Sequence, residues 1–258
     1  MFDTAAHTKK LYYLDQYLTS SSARIVGIDE GCMALDRTVL YPEGGGQESD
    51  TGLLETPFGT LHIMAAKLMH GTPIHLDGFN GGKSGGVIVH HVAPQDQAML
   101  ANLTPGMAVT VHLNAERRQK LTLSHSASHF LYAAAVALRP ELKENTIGCH
   151  IKEEGARFDF IASDPFVPDE IEAIERHANA MIARAQPITI EAHPENADAR
   201  TWIYEDIRIP CGGTHLSSPQ DIGCIRVTRK KLGKNKERLM CAFDDARISI
   251  DNYHETEL

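Results

Sequence analysis

The sequence predicts an α+β chain: a small N-terminal β-barrel or sandwich over residues 1–112, then an α/β two-layer domain over residues 113–258. Three observations carry this reading. Short runs of strand-like apolar pattern, cut by Gly and Pro, fill the first part. At Asn114 the composition changes to a helical pattern that runs to Pro140. Beyond it, helical and strand patterns alternate, as in layered α/β packing.

In chain order, residues 23–29 and 33–40 read as strands around the turn Asp29-Glu30-Gly31. Residues 52–54, 60–65 and 87–92 continue the pattern. Residues 77–86 are glycine-rich and read as a flexible loop. Residues 95–103, between two prolines, read as one helical segment. Asn114 is placed to cap a helix through AERRQKLTLSHSASHFLYAAAVAL. Leu121, His125, Ser128, His129 and Tyr132 share one stripe of it. A second helix is expected near Asp169, with Asp169 and Glu172 at capping-box spacing and Pro187 after its end. Its apolar face is Ile171, Ile174, Ala178, Met181, Ile182 and Ala185. Residues 156–161, 188–192, 223–229 and 238–244 read as strands, and residues 244–258 as an acidic tail, disordered or packed.

A chain of 258 residues can bury a large core, as one big domain or two ordinary ones. No apolar run approaches the ~20 residues of a membrane span, so no membrane partner is expected. The opening MFDTAAHTKK has no apolar stretch behind its charges and does not read as a signal peptide. Five scattered cysteines argue against a disulfide framework and for a reducing, cytoplasmic setting. A net charge of −9 predicts solubility and no general affinity for nucleic acid, DNA included. Yet Arg226, Arg229, Lys230, Lys231, Lys234, Lys236 and Arg238 crowd one short segment, opposed only by Glu237. The strip reads either as a solvated hairpin or as a local dock for a polyanion.

The chemistry-bearing residues are two spaced pairs, HSASH (125–129) and CGGTH (211–215). His125 and His129 stand at i, i+4, on one helix face. Gly212 and Gly213 permit tight turns, so Cys211 and His215 can aim at one centre. Three His and one Cys are a zinc ligand set. Four protein ligands can close a structural site, whereas a catalytic zinc keeps a position open. The HExxH glutamate is missing, since Ser126, Ala127 and Ser128 fill the gap, so a catalytic base has to come from elsewhere. YPEGGGQ (41–47) can wrap closely around a ligand or form a plain hairpin turn, and it is no P-loop. RFDF (157–160) alternates as a strand, with Phe158 and Phe160 facing the core.

HSASH, RFDF and CGGTH, in that order, resemble the editing domain of alanyl-tRNA synthetase, and LDRTVLYPEGGGQ (35–47) resembles the glycine-rich segment that precedes it. The combination is similar to the alanyl-tRNA-editing protein (AlaX) family, in its longer type with an N-terminal barrel. The resemblance implies a zinc-dependent aminoacyl-tRNA deacylase. Its substrate would be serine, or glycine, wrongly esterified to tRNA for alanine. A site for alanine rejects so small an addition as a hydroxyl only weakly, which is why a second, hydrolytic site is useful. The resemblance further implies Zn2+ on His125, His129, Cys211 and His215. Thr38 and Gln47 would be catalytic, and Thr38 would hydrogen-bond the serine hydroxyl. Gly44, Gly45, Gly46 and Thr146 would line the substrate pocket. Arg226, Arg229, Lys230, Lys231 and Lys234 would meet tRNA phosphates. The family's HTAxH is HSASH here, and its Q-x-G-S is Thr146-Ile147-Gly148-Cys149, which bears on selectivity. Two other readings stand beside this one: a non-catalytic module gripping aminoacyl-tRNA around a structural zinc, and a zinc hydrolase of a small ester or amide.

Overall fold

A computed structural model describes residues 2, 7–76, 79–243 and 245–255. The first half holds β1 (Lys9–Lys10), β2 (Ser20–Asp29), β3 (Cys32–Leu35), β4 (Arg37–Thr38), β5 (Gly52–Thr56), β6 (Gly59–Met69), β7 (Thr72–Leu76), β8 (Phe79–Ser84), β9 (Val87–Val92) and β10 (Ala108–Leu113). Six strands close a barrel in the order β10-β2-β3-β9-β6-β5. Alternation sends Ala23 and Ile25 of β2, and Leu61 and Ile63 of β6, into its core with Met33, Leu54 and Val111. Strand β10 pairs with both β2 and β5, which closes the barrel and leaves no exposed edge.

One expectation for this half is corrected. The glycine-rich stretch is not a loop throughout: β8 pairs with β7 as a hairpin, and residues 77–78 lie outside the described residues. Phe79 and Ile74 anchor that hairpin on Ala199 of the second half. The helical segment expected between the prolines is present as a 3-10 helix, Pro94–Asn102.

The second half contains α1 (Ala115–Leu138), β11 (Thr146–Lys152), β12 (Gly155–Ile161), α2 (Pro168–Ala183), β13 (Ile188–His193), β14 (Asn196–Tyr204), β15 (Ile207–Pro210), β16 (Ile225–Gly233) and β17 (Lys236–Phe243). Asn114 caps α1 as expected, its Oδ1 accepting from Arg117 N at 3.1 Å. Much of α1 is buried on several faces, Leu123, Ala127, Phe130 and Leu131 among apolar neighbours and Arg118, Ser124 and His125 among polar ones. The small side chains of Ser124, Ser126, Ala127 and Ser128 let neighbours approach the helix closely. Helix α1 packs on β11 and β12 and α2 on β16, backing the antiparallel sheet β11-β12-β17-β16. A second sheet, β13-β14-β15, carries Trp202 into the same core. The α+β class is borne out.

The start of α2 lies slightly earlier than the sequence suggests. Pro168 occupies the first turn, and Glu170 Oε2 accepts from the Val167 N–H at 2.9 Å, so the reciprocal carboxylate is Glu170, not Glu172. The tail is packed over its described part: His254 N donates to Tyr17 O and Thr19 N to His254 O. Asp244 and residues 256–258 of that tail lie outside the described residues.

The two halves meet along the glycine segment. Ile151 N donates to Gly46 O at 2.8 Å, and Glu48 N to Ile151 O at 3.2 Å, so residues 46–48 extend the sheet beside β11. A fully buried ion pair, Arg118–Asp50, lies just behind.

Candidate metal centre

Helix α1 presents His125 and His129 one turn apart, and the loop after β15 presents Cys211 and His215. One ligand atom from each lies within 4.8 Å of all the others. Cys211 Sγ is 3.4 Å from His125 Nε2 and 3.3 Å from His215 Nε2. The loop reaches the helix because residue 213 is glycine: a Cβ there would stand 2.2 Å from His125 Cε1. Trp202 packs its edge against the His129 ring at 4.8 Å.

Burial sets the charge state of the group. It pushes His125 down to about 3 and His129 and His215 well below the usual imidazole range, with neighbouring rings adding to the effect. It pushes the Cys211 thiol up to about 12. Three neutral imidazoles and a thiol therefore face one another in a site that disfavours charge, until a cation arrives to displace the thiol proton. Outer contacts fix the ring orientations. His125 Nδ1 is 2.7 Å from Gln47 Oε1, an acceptor only, so the proton is on Nδ1 and the Nε2 lone pair faces the centre. His215 Nδ1 is 3.3 Å from Ser126 Oγ. The donor set, its compactness and the tautomer of His125 all fit zinc.

The centre opens on a cavity of about 450 Å³ between the halves, with His125, His129 and Cys211 in its wall. A larger groove of about 730 Å³ runs over the outside of the barrel past Leu53, Met64 and His112. It touches none of the four ligands, so the smaller cavity is the one with chemistry. Of the expected pocket residues, Gly44, Gly45 and Thr146 line it. Thr146 Oγ1 donates to Leu142 O at 2.8 Å, which leaves its lone pairs toward other partners.

Thr38, Gln47 and Gly46 are not brought to the cavity wall. Thr38 is fully buried in the barrel half, with Oγ1 2.9 Å from His90 Nε2 and accepting from Leu40 N at 3.1 Å. Gln47 is fully buried too, with its amide bonded to His125 and Thr214. Gly46, at φ +85, lies against Cys149, where a Cβ would come within 2.3 Å of Sγ. Sequence reasoning missed Tyr13, Tyr41, Lys83 and Cys149 as wall residues. Cys149 carried a signal as the departure within 146–149, and Tyr41 as the first residue of YPEGGGQ.

The basic strip is divided by its sheet register. Arg226, Thr228 and Lys230 alternate with buried Val227, and Lys230 pairs across to Arg238 on β17. Arg229 is bound to Glu237, and Arg238 and Arg157 share Asp159. Lys231 and Lys234 are exposed at and beside the hairpin turn.

A barrel joined to a helix-backed sheet, with a buried three-histidine, one-cysteine centre opening on the cavity between them, defines a protein with a candidate metal site assembled across its halves. Residues 1–95 match the family model described as tRNA synthetases class II (A). The alanine–tRNA ligase of Ignicoccus hospitalis is 31% identical over 246 residues, which cover 86% of this chain and 24% of that protein. That of Methanosphaera stadtmanae is 29% identical over 271 residues, covering 93% and 27%. That of Methanothermobacter thermautotrophicus is 28% identical over 270 residues, covering 94% and 27%. The chain spans about a quarter of the length of these relatives. Over most of its length the chain is similar to part of these alanine–tRNA ligases, and the resemblance read from HSASH, RFDF and CGGTH is borne out.

Proposed function

We propose that this chain is a cytoplasmic, zinc-dependent deacylase that hydrolyses the ester of wrongly charged tRNA for alanine, with serine the main error and glycine the second. The carrying observation is that three of the four metal-type ligands form part of a cavity wall. A cavity of about 450 Å³ has room for an aminoacyl group with part of a terminal nucleoside.

His125, His129, Cys211 and His215 would hold the zinc, which when bound supplies Lewis acidity beside the ester and a hold on its α-amino group. Thr146 Oγ1, its own proton given to Leu142 O, accepts a hydrogen bond from the serine hydroxyl. Alanine has no such donor, and a bond of this kind contributes about 0.5–1.5 kcal/mol. Gly44 and Gly45 let the substrate approach backbone. Arg226, Lys230, Lys231 and Lys234, with Arg229 partly neutralised by Glu237, meet phosphates of the tRNA. A second reading has support of its own: four protein ligands can close a tetrahedral shell, and the domain would then grip aminoacyl-tRNA around a structural zinc.

The test is deacylation of serine-charged and alanine-charged tRNA for alanine by the intact chain and by Cys211→Ala. Fast loss of serine with alanine spared, abolished together with zinc binding in Cys211→Ala, is the expected outcome. Folded, zinc-loaded protein that leaves both esters intact selects the binding module instead. Equal turnover of a small seryl ester without tRNA selects the small-ester hydrolase.

A further inference from the structure

We propose that Gln47 is the positioning residue of the metal centre, and hence that the barrel half sets the metal affinity of ligands that all belong to the other half. This rests on the metal reading of the four ligands and not on the ester chemistry.

Gln47 bridges both ligand-bearing segments at once. Its Oε1 accepts from His125 Nδ1 at 2.7 Å and from Thr214 N at 3.1 Å. Its Nε2 donates to Thr214 Oγ1 at 3.1 Å, and Thr122 on α1 donates to the same hydroxyl at 2.8 Å. His125 is thus tied to the 211–215 loop through one amide. The Thr214 N–H fixes the oxygen end of the amide toward His125, and an amide oxygen only accepts, which holds the ring proton on Nδ1 and leaves Nε2 for the metal. Carboxylates and backbone carbonyls commonly do this for metal-bound histidines, and a neutral amide does it here without adding charge to a fully buried site.

The glycine segment owes its form to this placement. Residue 46 has to be glycine because a Cβ would meet Cys149 Sγ at 2.3 Å, and its φ of +85 lies in the left-handed region. The segment then runs beside β11 through Gly46 O and Glu48 N. Three residues on, Asp50 is gripped by Arg118, seven residues before His125 on the same helix. Gln47 is therefore anchored on both sides, and its amide cannot drift from His125 without breaking one of these contacts.

The experiment is zinc affinity by competition with a chromogenic chelator, on the full chain, for wild type, Gln47→Met and Gln47→Glu. Methionine keeps the volume without an acceptor, and glutamate restores the acceptor. Gln47→Met is expected to bind zinc about 10–100-fold more weakly, and Gln47→Glu to recover most of that loss. Gln47→Met binding like wild type, or both variants weakened alike, overturns the proposal. Absence of zinc binding by the wild type instead overturns the metal reading beneath it. Nitrogen NMR of the metal-free wild type needs no variant: His125 protonated at Nδ1 is expected, and protonation at Nε2 would overturn the assignment.

Discussion

Helix α1 carries two buried polar centres seven residues apart, and they are built on opposite plans. At Arg118 the guanidinium finds protein acceptors all round: both Asp50 oxygens, Gln16 O and Val39 O. At His125 the outer nitrogen is matched by Gln47, but the inner nitrogen faces two more imidazoles and a thiol. The first centre is neutralised by the chain itself and joins the halves. The second collects lone pairs that have only one thiol proton to share between them, and burial has already removed the charges that could repel a cation. The contrast separates a buried polar group that holds a fold together from one that waits for a ligand.

Breaking the self-contained centre should cost the most. Asp50→Ala leaves Arg118 charged and unpaired with both groups fully buried, which is worth about 3–5 kcal/mol. Urea unfolding should register that loss, and adding Arg118→Met should recover much of it. A loss below about 1 kcal/mol in the single variant would mean that the pair is not the strut described.

The Thr38–His90 pair sharpens the comparison, because Thr38 matches His90 Nε2 while the buried Nδ1 has no hydrogen-bond partner. Burial pushes His90 down to about 4 from its ordinary 6.5. Between those values the unfolded chain takes up the proton and the folded one does not, so stability falls as pH drops from 6.5 to 4. The full fall from this group is about 3 kcal/mol. Denaturant midpoints across that window should therefore decline more steeply for wild type than for His90→Gln. Parallel curves would show that His90 does not titrate differently on folding.

The smallest effect separates structure from selectivity. Thr38→Val removes a bond to His90 and should cost about 1 kcal/mol of stability, while leaving the ratio of serine to alanine hydrolysis unchanged. Thr146→Val should do the reverse, lowering that ratio by roughly a factor of ten at most. A collapse of the ratio in Thr38→Val alone would return Thr38 to the substrate.

Legibility in the sequence followed the range of the interactions. Helix α1 was readable because Asn114, the apolar period and Pro140 are local signals, and HSASH placed two ligands on one helix face by spacing alone. RFDF showed its strand by alternation, and the basic cluster was visible as composition. The β7–β8 hairpin was hidden because FNGGKS carries the glycines of a loop and pairs only where Phe79 docks on Ala199. Tyr13 and Lys83 gave no pattern, since a wall shared by distant segments has no period. Thr38 and Gln47 were readable as part of a motif, but their direction of use was not.

By itself, the sequence determined the two-part α+β plan, the long capped helix and the identity of the four ligand-type residues, because each depends on spacing within one element or on the chemistry of single side chains. Only the tertiary structure decided which groups are spent inside the protein. It turned Thr38 toward His90 and Gln47 toward His125, paired Arg229 with Glu237, and left Thr146 on the cavity wall. A hydroxyl or an amide is equally able to bind a substrate or a neighbour, and which it does is settled by what the fold packs within hydrogen-bond reach.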